Sequence, residues 1–435
     1  MCKAITKSLT GYMRASFPLI YVESSEEDRV ERIVGKVCGT KLSDGTTELA
    51  KLFVWEEGVG VKAASNSLKD TDLNFEELAE STGSLPDFIR KLVEVSSEAR
   101  SAMNSGSECV WTDACFLAKD LHYLFLNPNP MMYRALRVFA RNAKAAGMYL
   151  IAVGPPVTLP AELSHEFVVI DCDLPDRKDI ETSLTELGES LSEAGQGDVL
   201  LKTMKSTKKK AEIVEAATGM TENEVTGSVS LSLVTSGTVD RKFVADQKIA
   251  AVKKSGFLEI YPTEEIASVG GLDLLKNYLG ITEKAFSDDA RKYSIGEPKG
   301  VLMVGIAGTG KSLCAKAAAS VFKRPLLRFD VAAAFGSLVG QSESNMRQAI
   351  KTAEAAAPCV LFVDEIEKAL AGGGGGGDHD GGTTVRVMGT FLSWMQDHKT
   401  KVYVVATANQ VNSLPPELLR KGRFDEINEN GLLAA

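Results

Sequence analysis

The chain has 435 residues, of which 44% are hydrophobic and 25% charged, enough for two or three globular domains. Its 49 basic and 58 acidic side chains leave a formal charge of −9, which argues against indiscriminate coating of nucleic acid or anionic membrane. No apolar run approaches the roughly 20 residues that span a bilayer. The N-terminal MCKAITKSLTGYMRASF lacks an apolar signal core, so a cytoplasmic or plastid-stromal location is expected rather than secretion.

In chain order, Phe17 to Val22 reads as a buried strand. The acidic stretch from Glu23 to Arg29 opens a helix running toward Val37. Lys51 to Trp55 reads as a second strand, and Cys109 to Asp113 as a short apolar strand closed by an acid. Met131 to Ala146 is a helix, with strands at Tyr149 to Val153 and Phe167 to Ile170. Such alternation predicts a parallel sheet covered by helices over residues 1–175. Residues 176–255 read as a small helical unit and linker, with helices at Glu181 to Glu193 and Val199 to Lys210. After Gly219, Thr221-Glu222-Asn223-Glu224 fits a helix stop followed by a capping box. The lysines 202, 205 and 208 to 210 form a solvated face or a foothold for phosphates. A second α/β pattern fills 256–428, interrupted by six glycines from Gly372 to Gly377, which read as a flexible loop. Residues 429–435 are a short tail. The seven cysteines form no CxxC pair and read as buried thiols in a reducing compartment, and no histidine has metal-ligand spacing.

The chemistry lies in the second pattern. The apolar strand Gly300 to Val304 runs straight into Gly305-Ile306-Ala307-Gly308-Thr309-Gly310-Lys311-Ser312, and Leu313 to Val321 continues as a helix. This is G-x-x-x-x-G-K-[ST] between a strand and a helix, the setting that gives the motif meaning. Backbone groups of Gly305, Gly308, Thr309, Gly310 and Leu313 are candidates to meet phosphates at the helix N-terminus. Lys311 would hold the β- and γ-phosphates of ATP, and Ser312 would ligate Mg²⁺. Val360 to Val363 is a second buried strand, closed by Asp364 and Glu365. Asp364 would hold Mg²⁺ through its water shell, and Glu365 would orient and deprotonate the attacking water. Lys401 to Ala406 is a third, leading to Asn409 at the same sheet edge, within reach of the γ-phosphate or the water. Arg420 and Arg423, around Lys421-Gly422, have the position of arginine fingers that act on a neighbouring subunit's nucleotide. That role requires head-to-tail assembly.

Together these segments, from Ile266 to Ile427, resemble the AAA subfamily of AAA+ ATPases. Ile266 to Leu272 is similar to the family's adenine-side motif, which implies nucleotide contacts from Val269 and Gly270. The run LLRFDVAAAFGSLVGQSESNMRQAI followed by APCVLFVDEIEKA resembles the AAA proteins of plastid and cyanobacterial open reading frames. Those pair a degenerate N-terminal P-loop-like domain with one AAA module. The resemblance implies that 1–175 is such a domain, with FPLIYVES lacking the phosphate loop and CVWTDA at the place of the metal-binding strand. It also implies that 176–246 is that domain's lid, and that the half serves regulation or partner binding rather than hydrolysis. The chain departs from the family in three places. Leu338 stands where unfoldases carry a pore aromatic, Ile306-Ala307 replaces Pro-Pro, and Asn428 to Ala435 is too short for the usual C-terminal lid. The expectation is a homo-oligomeric ring, a hexamer by the family's pattern, that hydrolyses Mg-ATP to remodel or regulate a protein partner. The alternatives are an ATP-dependent switch or assembly module with little turnover, and a DNA-acting motor or loader.

Overall fold

The computed structural model describes residues 3–40, 49–64, 73–193, 197–253, 256, 258–261, 273–286, 290, 292–293, 296–306, 310–329, 341–367, 381–398, 400–410, 414, 416–420 and 422–429. The chain divides into two compact units. Met1–Thr182 with Thr221–Asn223 forms the first, and Ser183–Met220 with Glu224–Ala435 the second.

In the first unit, α1 (Lys3–Arg14) precedes β1 (Leu19–Glu23) and α2 (Glu27–Cys38). A hairpin follows, of β2 (Lys51–Glu56) and β3 (Gly60–Ala63). Next come α3 (Phe75–Ser81), α4 (Leu85–Ser105), β4 (Ala114–Ala118), α5 (His122–Leu126), α6 (Pro130–Ala146), β5 (Tyr149–Gly154) and β6 (Phe167–Asp171). The sheet order is β3-β2-β4-β5-β1-β6, parallel except for the β2–β3 hairpin. Alternate residues of β1 face opposite layers, as strand geometry dictates. Leu19 and Tyr21 pack in the layer that holds Phe88, Leu92 and Phe139, whereas Ile20 and Val22 pack with Ile5, Leu9, Val30 and Val34. Local signals start the helices. Ser84 Oγ accepts from the Asp87 backbone N–H at 3.4 Å, and Asn129 Oδ1 accepts from Met131 N–H at 3.1 Å. Gly147 closes α6 at φ +66°, where an added Cβ would lie 2.1 Å from Asp113 Oδ1.

Two expectations are corrected in the helical and strand assignments. Cys109 to Asp113 is a turn, and the strand begins one residue later at Ala114. Trp111 explains the apolar run, because its ring is buried against Phe53 at 5.3 Å, and Asp113 takes a left-handed φ of +57° that no strand continues through. Val199 to Lys210 is two helices, α8 (Asp198–Lys205) and α9 (Thr207–Ala217), after α7 (Arg177–Glu193). They are broken at Ser206, whose extended backbone (φ −83°, ψ 109°) ends the first before the lysine run begins the second.

The second unit continues with α10 (Glu222–Ser236), α11 (Arg241–Lys253), β7 (Leu258–Tyr261), α12 (Asp273–Ala285), β8 (Gly300–Val304) and α13 (Lys311–Phe322). It closes with β9 (Leu326–Phe329), α14 (Gln341–Ala356), β10 (Cys359–Val363), α15 (Gly381–Asp397), β11 (Val402–Ala408) and β12 (Glu426–Glu429). The order is β12-β8-β11-β10-β9-β7, parallel except for β7 on β9. Numbered along the chain, the five parallel strands of each unit read fifth, first, fourth, third, second, with one antiparallel strand at the edge beside the second. The fold is therefore an AAA+ P-loop NTPase sheet preceded by a sheet of the same order.

The α8–α11 helices join the second unit through a buried lysine. Lys248 Nζ donates to the carbonyls of Thr218 (2.6 Å) and Ala357 (2.7 Å), at the C-terminal ends of α9 and α14. Next to it Gly219, at φ +91°, lets the chain approach so closely that an added Cβ would lie 1.8 Å from Ala355 O. Among the described residues no helix is long and apolar enough to cross a membrane. The six described cysteines are free, and Cys109 and Cys172 are only half-buried.

Candidate functional site

The C-terminal ends of β8, β10 and β11 lie side by side in the second sheet, and each carries chemistry. Where β8 ends, the Gly305 N–H donates to Ala408 O at 3.1 Å, tying the loop that follows to the end of β11. Gly310 takes φ +80°, a conformation that suits glycine, and Lys311 opens α13 directly after it. Lys311 is only 8% exposed. Its ammonium donates to Gly305 O (2.6 Å), Ile306 O (2.9 Å) and Asn409 Oδ1 (3.0 Å). The lysine thus lies along its own loop, held by neutral acceptors rather than by a carboxylate.

Beyond β10, Asp364 and Glu365 are organised by one hydroxyl. Thr407 Oγ1 donates to Asp364 Oδ1 at 2.7 Å and accepts from the Glu365 N–H at 2.9 Å. Glu365 sits at φ +49°, an uncommon conformation for a residue with a Cβ and one that concentrates at functional sites. Asn409 links the acids to the lysine. Its Nδ2 donates to Glu365 Oε1 (3.2 Å) and Glu367 Oε1 (2.8 Å), and its backbone N–H to Glu367 Oε1 (2.9 Å). Arg328 on β9 lies 4.0 Å from Asp364 Oδ2 and 3.8 Å from Glu259 Oε2.

The structure therefore brings Lys311, Asp364, Glu365 and Asn409 to one sheet edge, with Gly305, Gly310, exposed Ser312 and half-buried Leu313 beside them. Val269, Gly270, Gly308 and Thr309 lie outside the described residues, as do Leu338 and the hexaglycine run. Arg420 and Arg423 are not part of this cluster. Asp425 N–H donates to Gly300 O at 2.8 Å, and Asp425 Oδ2 accepts from the N–H groups of Lys299 (2.6 Å) and Gly300 (3.0 Å). These bonds fix Asp425, two residues after Arg423, at the first residue of β8, whereas the phosphate loop leaves the last. The five residues of β8 separate the two by on the order of 15 Å. Arg423 there donates to Glu417 O.

Three participants escaped the sequence reading: Thr407, Glu367 and Arg328. Only Glu367 had a usable signal, an acid two positions after Glu365 in Asp-Glu-Ile-Glu. The donor set fits a nucleotide with its metal. Ser312 and Asp364 supply hard oxygens, Lys311 is a cation without an acidic partner in the described contacts, and Glu367 Oε2 is a buried acceptor with no hydrogen-bond partner among the described residues.

A family profile described as "ATPase family associated with various cellular activities (AAA)" matches residues 301–432. A second, described as "SpoVK-like AAA ATPase, N-terminal domain", matches residues 5–172. The chain is 32% identical over 433 residues to the uncharacterized AAA domain-containing protein ycf46 of Guillardia theta, covering 99% of this chain and 77% of that one. It is 32% identical over 426 residues to the protein of the same name from Pyropia yezoensis, covering 97% and 78%. A shorter match is to the peroxisomal ATPase PEX6 of Homo sapiens, 36% identical over 169 residues, 38% of this chain and 17% of that one.

Proposed function

The chain belongs to the AAA family of ATPases, close kin to the plastid ycf46 proteins, and we propose that its second unit binds and hydrolyses Mg-ATP to remodel or regulate a macromolecular partner. The observation that carries the reading is the hydrogen-bonded row from Lys311 through Asn409 to Glu365, at 3.0 and 3.2 Å, across three adjacent strand ends. A lysine held by neutral carbonyls turns to a triphosphate without breaking an ion pair. Ser312 and Asp364 would hold Mg²⁺, which neutralises charge on the β- and γ-phosphates. Glu365, fixed at its backbone by Thr407, is the base that orients and deprotonates the attacking water, with Asn409 beside it. Arg423, two residues before the Asp425 anchor at the far end of β8, and Arg420 serve the nucleotide of an adjacent subunit, which calls for a head-to-tail ring. A relative over this segment is named an ATPase, in keeping with turnover.

The test uses two variants of the full chain. Lys311→Ala loses ATP affinity by roughly 100-fold or more, because the triphosphate loses its main cation. Glu365→Gln keeps ATP affinity and loses turnover. Retained micromolar ATP binding in Lys311→Ala places the site elsewhere.

A further inference from the structure

Glu367 is not among the residues that the phosphate-loop chemistry names, yet it makes the closest contacts to Asn409. One oxygen, Oε1, accepts both the backbone N–H of Asn409 (2.9 Å) and its side-chain Nδ2 (2.8 Å). Glu365 receives the same Nδ2 at 3.2 Å, and the opposite end of the amide, Oδ1, accepts from Lys311 at 3.0 Å. An ionised carboxylate only accepts and an ammonium only donates. Two acids on one side and a lysine on the other therefore admit a single orientation of the Asn409 amide. When Lys311 turns away to hold phosphate, that end of the constraint is released and the acid end alone keeps the amide aimed. The second oxygen of Glu367 is buried with no hydrogen-bond partner among the described residues. A buried acceptor left without a donor is costly, and a side chain present only to fill space would not carry it.

We propose that Glu367 is a positioning residue for hydrolysis, locking the Asn409 amide so that its NH2 group stays directed at Glu365 while Lys311 is engaged with nucleotide. It acts through Asn409 and does not itself touch the reacting atoms. The proposal rests on the reading of this edge as the ATP site.

The experiment compares Glu367→Met, Glu367→Gln, Asn409→Ala and the Glu367→Met/Asn409→Ala double variant in the full chain. ATP affinity, kcat and thermal unfolding are measured for each. Methionine keeps the volume and removes the acceptor, whereas glutamine keeps an acceptor oxygen. The expected result is a kcat about tenfold lower in Glu367→Met with ATP affinity within about twofold, and most of the turnover kept in Glu367→Gln. The double variant should be no slower than Asn409→Ala alone, because both changes remove the same constraint. Full turnover in Glu367→Met, losses in the double variant that multiply, or a loss of affinity matching the loss of turnover would each overturn the proposal. Failure of the site itself is read separately, from ATP affinity retained in Lys311→Ala.

Discussion

The two units are built on one strand order and differ in what their strand ends carry. After its first parallel strand, β8, the second unit spends six residues, Gly305 to Gly310, before α13 begins at Lys311. The first unit spends three, Ser24, Ser25 and Glu26, and its helix then opens with Glu27 and Asp28. A helix N-terminus favours anions, and here the chain supplies them itself. After its third parallel strand, β10, the second unit places Asp364 and Glu365; after β4, its own third parallel strand, the first places Lys119 and Asp120. Lys119 Nζ reaches Glu56 at 2.6 Å, Glu31 at 2.9 Å and Asp28 at 3.7 Å. Burial alone would lower this ammonium, but its hydrogen bonds to Glu56 and Glu31 hold it above the ordinary lysine range. Burial and the neighbouring Asp120 push Glu27 upward. One unit therefore presents acids where a cation can be held, and the other has a covalently attached cation at the equivalent place. The sheet order is a scaffold, and the chemistry depends on a few residues at its edge.

Lysine variants break this comparison most directly. Lys119→Met leaves Glu31 and Glu56 facing one another without their cation. Both are about a third exposed, at 35% and 37%, so the loss is smaller than for a fully buried pair, roughly 1–3 kcal/mol of unfolding free energy. Nucleotide bound at saturation stays at one per chain. A second nucleotide per chain in this variant, or unchanged urea unfolding, removes the distinction between the units.

Lys248 sharpens it with a smaller effect of opposite sign. Burial lowers its pKa to about 8, against 10.5 for an ordinary lysine. Between those values the unfolded chain binds the extra proton, so this group makes stability rise with pH, by about 1.4 kcal/mol per pH unit at most. Lys119, shifted the other way, contributes its stability in full below pH 10.5 and loses it only above. The difference in unfolding free energy between wild type and Lys248→Met should therefore climb from pH 8 to 10. A flat difference over that interval would show that burial does not depress the lysine's pKa.

The second unit was the more legible in sequence because its motif residues stand at the ends of the strands that carry them, so spacing alone gathers Lys311, Asp364, Glu365 and Asn409. What binds them to one another was not legible. Thr407 reaches Asp364 only because β10 and β11 pair in parallel with Val363 opposite Ala406, and register is a property of the folded sheet. Arg328 depends likewise on β9 lying beside β10. In the first unit the apolar run Cys109 to Asp113 could equally serve a strand or a buried turn, and the aromatic layer around Phe53 and Phe116 decided for the turn. The break at Ser206 left no glycine or proline in the sequence to announce it.

The most direct test of the account is ATP hydrolysis with Mg²⁺ against protein concentration, for wild type, Glu365→Gln and Arg423→Ala. The proposed role of Arg423 at a neighbouring subunit's nucleotide calls for assembly before turnover. Turnover per chain should therefore rise steeply with concentration in the wild type and vanish in Glu365→Gln. It should be low in Arg423→Ala, with partial recovery on mixing with Glu365→Gln subunits. Turnover per chain independent of concentration, or surviving in Glu365→Gln, would contradict a nucleotide site completed between subunits.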